Sequence, residues 1–327
     1  MFTPQLTYNS DTISKRQLFI GGITTYVYND SVLEEYVKSF NTQHHQEIPI
    51  NVLYLVHQRE GSYLTTQSFA YYILEQFYQK HGGKPKIPLI CVTFDNRNHG
   101  EKLIDKLKNS DWKRGNSTHA IDMVSCIEGN VADLKLIIDH LQGYLNLEYH
   151  LTESFKEKVQ PYFTFKNFIS GYSLGAHTVI RFANKYPELV EILNPIVGCS
   201  DLSSLLINRL KRTPLESEDY DKKYFYFKYG ELQLTEEQKR DQYPEYFHNY
   251  LSKQDQSIFE NFAMHKIKLF ASFGAKDTLV PPKLSQVWTE LYQNTNDDSE
   301  VFIQEDAGHQ VTQEMLDRFI TWLAKLI

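Results

Sequence analysis

Six short, largely apolar runs punctuate this chain, at 52–56, 89–94, 163–169, 192–197, 267–273 and 301–303, with amphipathic stretches between them. A strand with one wet face alternates apolar and polar residues, whereas a largely apolar run without that alternation marks a strand covered on both faces. The stretches between have helical spacing. After Asn130, the residues Val131, Leu134, Ile138, Leu141 and Leu145 share one stripe. After Gly175, Ala176, Val179, Ile180 and Ala183 do so up to Pro187, and near the end Met315, Leu316, Phe319, Ile320 and Leu323 repeat the pattern. Alternation of this kind predicts an α/β fold, a mostly parallel central sheet with helices on both faces. Gly21-Gly22, between the apolar runs 17–20 and 23–28, adds an antiparallel hairpin at the start, because glycine tolerates positive φ.

The interval from about 202 to 264 departs from the alternation. It holds no buried strand, yet Tyr220, Tyr224, Phe225, Tyr243, Phe247 and Tyr250 crowd there among Lys, Asp and Glu. So long a structureless loop does not suit a compact domain, so the interval is expected to form a cap inserted over the carboxyl edge of the sheet. Its rings would either line an acyl pocket or pack the cap onto the domain. The surrounding charges read as a solvated face.

With 327 residues the chain suits one large domain, 1–327, carrying that cap. Lys and Arg number 34 against 41 Asp and Glu, a net charge of −7 without basic blocks, which argues against nucleic acids and anionic membranes as partners. Three widely spaced cysteines, Cys91, Cys126 and Cys199, suit neither a disulfide framework nor a zinc site and point to a reducing compartment. The first 22 residues show no long apolar leader, so a cytoplasmic location is expected. No phosphate-cradling glycine loop, metal-spaced cluster or dinucleotide fingerprint occurs, and the chemistry is expected to need no cofactor.

The chemistry is carried first by Gly171-Tyr172-Ser173-Leu174-Gly175, directly after the run 163–169 and directly before a helical stretch. A nucleophilic serine needs its hydroxyl held clear of the backbone on a tight strand-to-helix turn, and flanking glycines leave room for that turn. Ser173 fits. A serine hydroxyl is barely nucleophilic at neutral pH and requires a base, which in turn requires an orienting acid. His309 follows the run 301–303 in Glu305-Asp306-Ala307-Gly308-His309 and is the expected base. His44, His45, His81, His119, His150, His248 and His265 read as surface residues, and His177 as a packing residue. Asp277, just past the run 267–273, is the expected acid, with Asp201 as its competitor and Glu305 and Asp306 as solvated loop charges. The order Ser173, Asp277, His309 differs from the trypsin-like and subtilisin-like orders.

These motifs resemble the α/β-hydrolase superfamily over residues 17–327, with the esterase and prolyl-oligopeptidase-like branch nearest. The pentapeptide around Ser173 resembles its nucleophile elbow, Gly274-Ala275-Lys276-Asp277-Thr278-Leu279-Val280-Pro281 its acid loop, and Gly308-His309 its histidine loop. Asp95-Asn96-Arg97-Asn98-His99-Gly100 resembles a turn that is usually structural in that superfamily. The resemblance implies an oxyanion hole made by the Leu174 N–H and by the Arg59 N–H in His57-Gln58-Arg59-Glu60-Gly61-Ser62. Gln58 and Glu60 stand where the superfamily commonly has glycine. It implies a serine hydrolase acting on a small-molecule carboxylic ester or thioester. An aminopeptidase or amidase, or a noncatalytic binding module of the same fold, are the alternatives.

Overall fold

At the start of the sheet, β1 (Lys15–Ile20) and β2 (Ile23–Tyr28) pair antiparallel across Gly21-Gly22, whose φ values of 57° and 83° only glycine adopts without strain. The remaining strands are β3 (Glu47–Val56), β4 (Leu89–Phe94), β5 (Tyr162–Tyr172), β6 (Ile192–Ile196), β7 (Lys268–Gly274) and β8 (Glu300–Gln304). In the computed structural model, which describes residues 4–327, they form one sheet in the order β1-β2-β4-β3-β5-β6-β7-β8. Met1, Phe2 and Thr3, at the head of the N-terminal stretch and of the 1–327 domain read above, lie outside the described residues. Strands β3 to β8 are mutually parallel, and β2 joins them antiparallel to β4.

Nine α-helices are described: α1 (Val32–Lys38), α2 (Tyr63–Lys80), α3 (His119–Leu145), α4 (Glu153–Val159), α5 (Leu174–Lys185), α6 (Leu202–Lys211), α7 (Glu245–Asn261), α8 (Gln286–Thr295) and α9 (Gln313–Leu326). Successive strand residues point to opposite faces, and β3 divides accordingly. Val52, Tyr54 and Val56 enter one core with Leu134 and Leu141 of α3, Val179 and Phe182 of α5, and Trp288 of α8. Leu53 and Leu55 enter the other with Phe69 and Phe77 of α2 and Phe319 and Leu323 of α9. Burial on both sides is why the run 52–56 is unbroken.

Three expectations are corrected. The run 301–303 is not covered on both faces: β8 is an edge strand paired only with β7, and Ile303 is 47% exposed. Helix α3 begins at His119, well before Asn130, because Ala120, Val124 and Ile127 pack on the inserted segment rather than on the sheet. His119 and His248 are buried, not on the surface.

Between β6 and β7, helices α6 and α7 and a series of short 3-10 turns occupy the interval expected to cap the sheet. Tyr220, Tyr224, Tyr243 and Phe247 form a third core with Ala120 and Ile127 of α3 and with Leu174. Most of the rings therefore serve packing, while Tyr226, Tyr246 and Tyr250 face solvent. No helix among the described residues is long and apolar enough to cross a membrane.

Candidate active site

Strand β5 ends at Tyr172 and α5 begins at Leu174, so Ser173 alone makes the turn, with φ 53° and ψ −109°. Positive φ in a non-glycine residue costs of order 1–3 kcal/mol and persists only where the surroundings enforce it. Here they do. A Cβ on Gly171 would lie 2.1 Å from the Gly175 carbonyl oxygen, and a Cβ on Gly175 would lie 2.0 Å from that of Val56. The two glycines are what allow strand, turn and helix to close this tightly. The Ser173 N–H donates to the Ile196 carbonyl at 3.0 Å, fixing the turn to β6.

Asp277 and His309 are brought together by contact between their loops. A Cβ on Gly274 would sit 2.3 Å from the Gly308 carbonyl oxygen, and the Lys276 N–H donates to Ala307 O at 2.9 Å. Asp277 Oδ1 accepts from the N–H groups of Leu279 (2.8 Å) and Val280 (2.9 Å). Its Oδ2 lies 2.7 Å from His309 Nδ1, and His309 Nε2 lies 2.8 Å from Ser173 Oγ. With Nδ1–H donating to the carboxylate, Nε2 carries the lone pair that accepts the serine proton. Asp277 is 3% exposed and Ser173 7%.

Asp201 is engaged elsewhere. Its Oδ1 accepts from the Ser204 N–H at 2.8 Å, capping α6, and Lys223 Nζ lies 3.4 Å from Oδ2. Burial, with Asp255 nearby, pushes its carboxyl up to about 6. Glu305 and Asp306 are exposed.

On the loop after β3, His57 is wholly enclosed. Its Nε2 accepts from the Asn96 N–H at 2.9 Å, which leaves Nδ1–H to donate to the Gln58 carbonyl at 2.7 Å. Burial carries the imidazole down to about 3, so it stays neutral. Asp95 supports the same region by accepting from the Tyr63 N–H (2.6 Å) and the Glu101 N–H (2.8 Å), while Arg97 Nη2 donates to Asp133 at 2.8 Å. The Asp95–Gly100 turn is thus held by its own side chains.

Gln58 folds back on its own loop, against Gly61, with Nε2 3.4 Å from Thr65 Oγ1. Glu60 takes a left-handed φ of 61° and pairs with Arg114 at 2.6 Å. Both side chains are occupied within or outside the loop. Among the described residues, no turn or loop carbonyl takes the N–H of Arg59 or of Leu174. The close approach of Gly175 to Val56 sets the start of α5, which carries the Leu174 N–H, against the end of β3, from which the loop carrying the Arg59 N–H departs.

Sequence reasoning missed two residues near the site. Arg209, on α6, was given no role, but its Nη2 donates to the Leu279 carbonyl at 2.7 Å, two residues from Asp277. His119, read as a surface histidine, lies 3.4 Å from Arg59 Nη1. The run Arg209-Leu210-Lys211-Arg212, basic within an acidic chain, was the available signal.

No protein-family model and no curated protein matches the chain. Among solved structures, TT1662 from Thermus thermophilus is similar over 96% of this chain and 97% of its own, at 13% identity and a TM-score of 0.52. The chain has the α/β-hydrolase fold. The esterase Pf2001 from Pyrococcus furiosus (15% identity, 96% and 92% coverage, TM-score 0.49) and alpha/beta hydrolase domain-containing protein 10 from mouse (13%, 96% and 98%, 0.46) are also similar. At these identities the likeness concerns architecture. Within the α/β-hydrolase fold of this chain, Ser173 follows β5, Asp277 follows β7 and His309 follows β8, all at the carboxyl edge of the sheet.

Proposed function

We propose that this protein is a serine hydrolase that cleaves a carboxylic ester or thioester through an acyl-enzyme. The observation that carries the reading is the continuous relay from Asp277 through His309 to Ser173, with heavy-atom distances of 2.7 and 2.8 Å. Ser173 Oγ attacks the carbonyl carbon as its proton passes to His309 Nε2. Asp277 holds the ring in the required tautomer and stabilises the imidazolium. The N–H groups of Leu174 and Arg59 stabilise the oxyanion. His309 then protonates the departing alcohol or thiol, and the carbonyl re-forms as an ester to Ser173. Water, deprotonated by His309, attacks that ester; the acid departs and the proton returns to Ser173. The segment between β6 and β7 acts as the cap that shapes the substrate side.

Fluorophosphonate labelling is the direct test. Wild type is expected to react at Ser173 and Ser173→Ala to be inert. Labelling at a different serine, or none in folded wild type, would overturn the reading. Nitrophenyl esters compared with aminoacyl anilides then separate esterase from aminopeptidase activity, with the ester expected to turn over faster.

A further inference from the structure

Next to the proposed catalytic residues lies a cavity of about 730 Å³, reaching from Arg59, through the inserted segment, to Thr278 and Leu279 just past Asp277. Its wall is strongly cationic. Arg59, Lys113, Arg209, Lys211 and Arg212 line it against only two carboxylates, Asp111 and Glu237, although the chain as a whole is acidic. Among the described residues none of the five cations has a carboxylate within 4.0 Å, and Asp111 faces Arg114 instead, at 3.7 Å. Basic side chains elsewhere in this acidic chain commonly find acidic partners, as Arg114 does with Glu60 and Arg97 with Asp133.

Two of the guanidinium groups, those of Arg59 and Arg209, stand close to His119 in this wall. Arg209 is anchored by its bond to the Leu279 carbonyl, but its Nε is buried without a hydrogen-bond partner among the described residues. A buried donor left open in this way is costly unless something fills it. Burial and the charge of Arg59 pull the Arg209 guanidinium down to about 10, and burial and both arginines pull His119 down to about 3. His119 is neutral and supplies no countercharge. Like charges gathered in a poorly solvated space are stabilised by an anion, and the planar fork of arginine matches a carboxylate or phosphate at two points.

We propose that this cavity receives the anionic end of the substrate, a carboxylate or phosphate group carried on the acyl part of the ester, with Arg209 and Arg59 as its binding residues. The proposal rests on the serine-hydrolase reading and narrows it to acidic esters. The Arg59 main chain then faces the reacting carbonyl while its side chain helps hold the far end, which fixes the substrate at two places along its length.

Nitrophenyl esters of matched acyl length provide the test, ending in methyl, carboxylate or phosphonate. Wild type is expected to show a higher kcat/KM for a charged series than for the methyl series. Arg209→Met should reduce that ratio by about tenfold or more, and Arg209→Lys should restore part of it. The charged series that gains more identifies the group. Glutarate or inorganic phosphate should also raise the Tm of wild type more than that of Arg209→Met. Equal turnover of charged and neutral esters by wild type, or a ratio unmoved in Arg209→Met, overturns the proposal. Fluorophosphonate labelling of the same preparations distinguishes the two failures. Labelled protein without an anion preference removes the acidic-ester inference alone, whereas unlabelled, folded wild type removes the hydrolase reading and this inference with it.

Discussion

His309 with Asp277 and His57 with Asp95 stand at the same edge of the sheet, one pair on the loops after β8 and β7, the other on the loops after β3 and β4. In the first, one imidazole nitrogen meets a carboxylate at 2.7 Å and the other meets a serine hydroxyl at 2.8 Å. In the second, both nitrogens are taken by main-chain groups, Gln58 O and Asn96 N–H, and the carboxylate stands off at 3.6 Å. The difference lies in the partner of the second nitrogen. A hydroxyl there gives a proton something to leave from, whereas an amide there turns the ring into a brace for the loop bearing Arg59.

The largest expected effect falls on the first pair. Ser173→Ala or His309→Ala should lower ester hydrolysis by roughly a thousandfold or more with little change in Tm, and Asp277→Asn should follow by disturbing the tautomer. His57→Ala should do the reverse, removing about 2–4 kcal/mol of stability through a cavity and an unsatisfied Asn96 N–H, while Ser173 in the surviving folded fraction still labels. Unfolding curves and probe labelling measured side by side check both. A His57→Ala protein of unchanged Tm and no labelling would exchange the roles given to the two histidines.

Gly175→Ala is next. The added methyl meets the Val56 carbonyl at 2.0 Å, and a loss of about 1–3 kcal/mol is expected together with weaker labelling, since both sides of the proposed oxyanion hole are pushed apart. A denaturant midpoint like that of wild type would show that the contact relaxes freely.

Acid stability extends the comparison to three of the enclosed rings. His57, His119 and His177 are each carried to about 3 by burial, so between the ordinary histidine value near 6.5 and that level the unfolded chain binds protons that the folded chain refuses. Stability is therefore full above about pH 6.5 and declines as the pH falls, by up to about 1.4 kcal/mol per pH unit for each ring. Asp201, raised to about 6, binds its proton earlier in the folded chain and offsets part of that loss. Urea midpoints should drop between about pH 7 and pH 5; a flat profile would mean the rings accept protons in place. Smallest of all, Asp201→Asn should change stability by about 1 kcal/mol, as befits a helix cap, and leave hydrolysis intact. A collapse of activity in this variant would favour Asp201, the competing acid, over Asp277.

The mostly parallel sheet, the hairpin and the tight turn at Ser173 were legible because each rests on a local constraint: largely apolar runs for strands covered twice, glycines where main chains touch. Asp277 was separable from Asp201 only as a preference, since both follow a strand; what decides is which carboxylate His309 reaches. The edge exposure of β8 and the early start of α3 depend on what lies beside them in space. Arg59 and Arg209 are far apart along the chain, and only folding brings them to one wall. Gln58 and Glu60 looked like departures from a glycine-rich loop, yet one tucks against Gly61 and the other bonds to Arg114.

The Gly175–Val56 contact has a mechanical meaning. With no side chain interposed, the first turn of α5 and the tip of β3 meet as bare peptide against bare peptide. Displacing one must displace the other, so the seat of the serine and the loop facing it travel as a single plate, and breathing of the sheet leaves the gap between them constant.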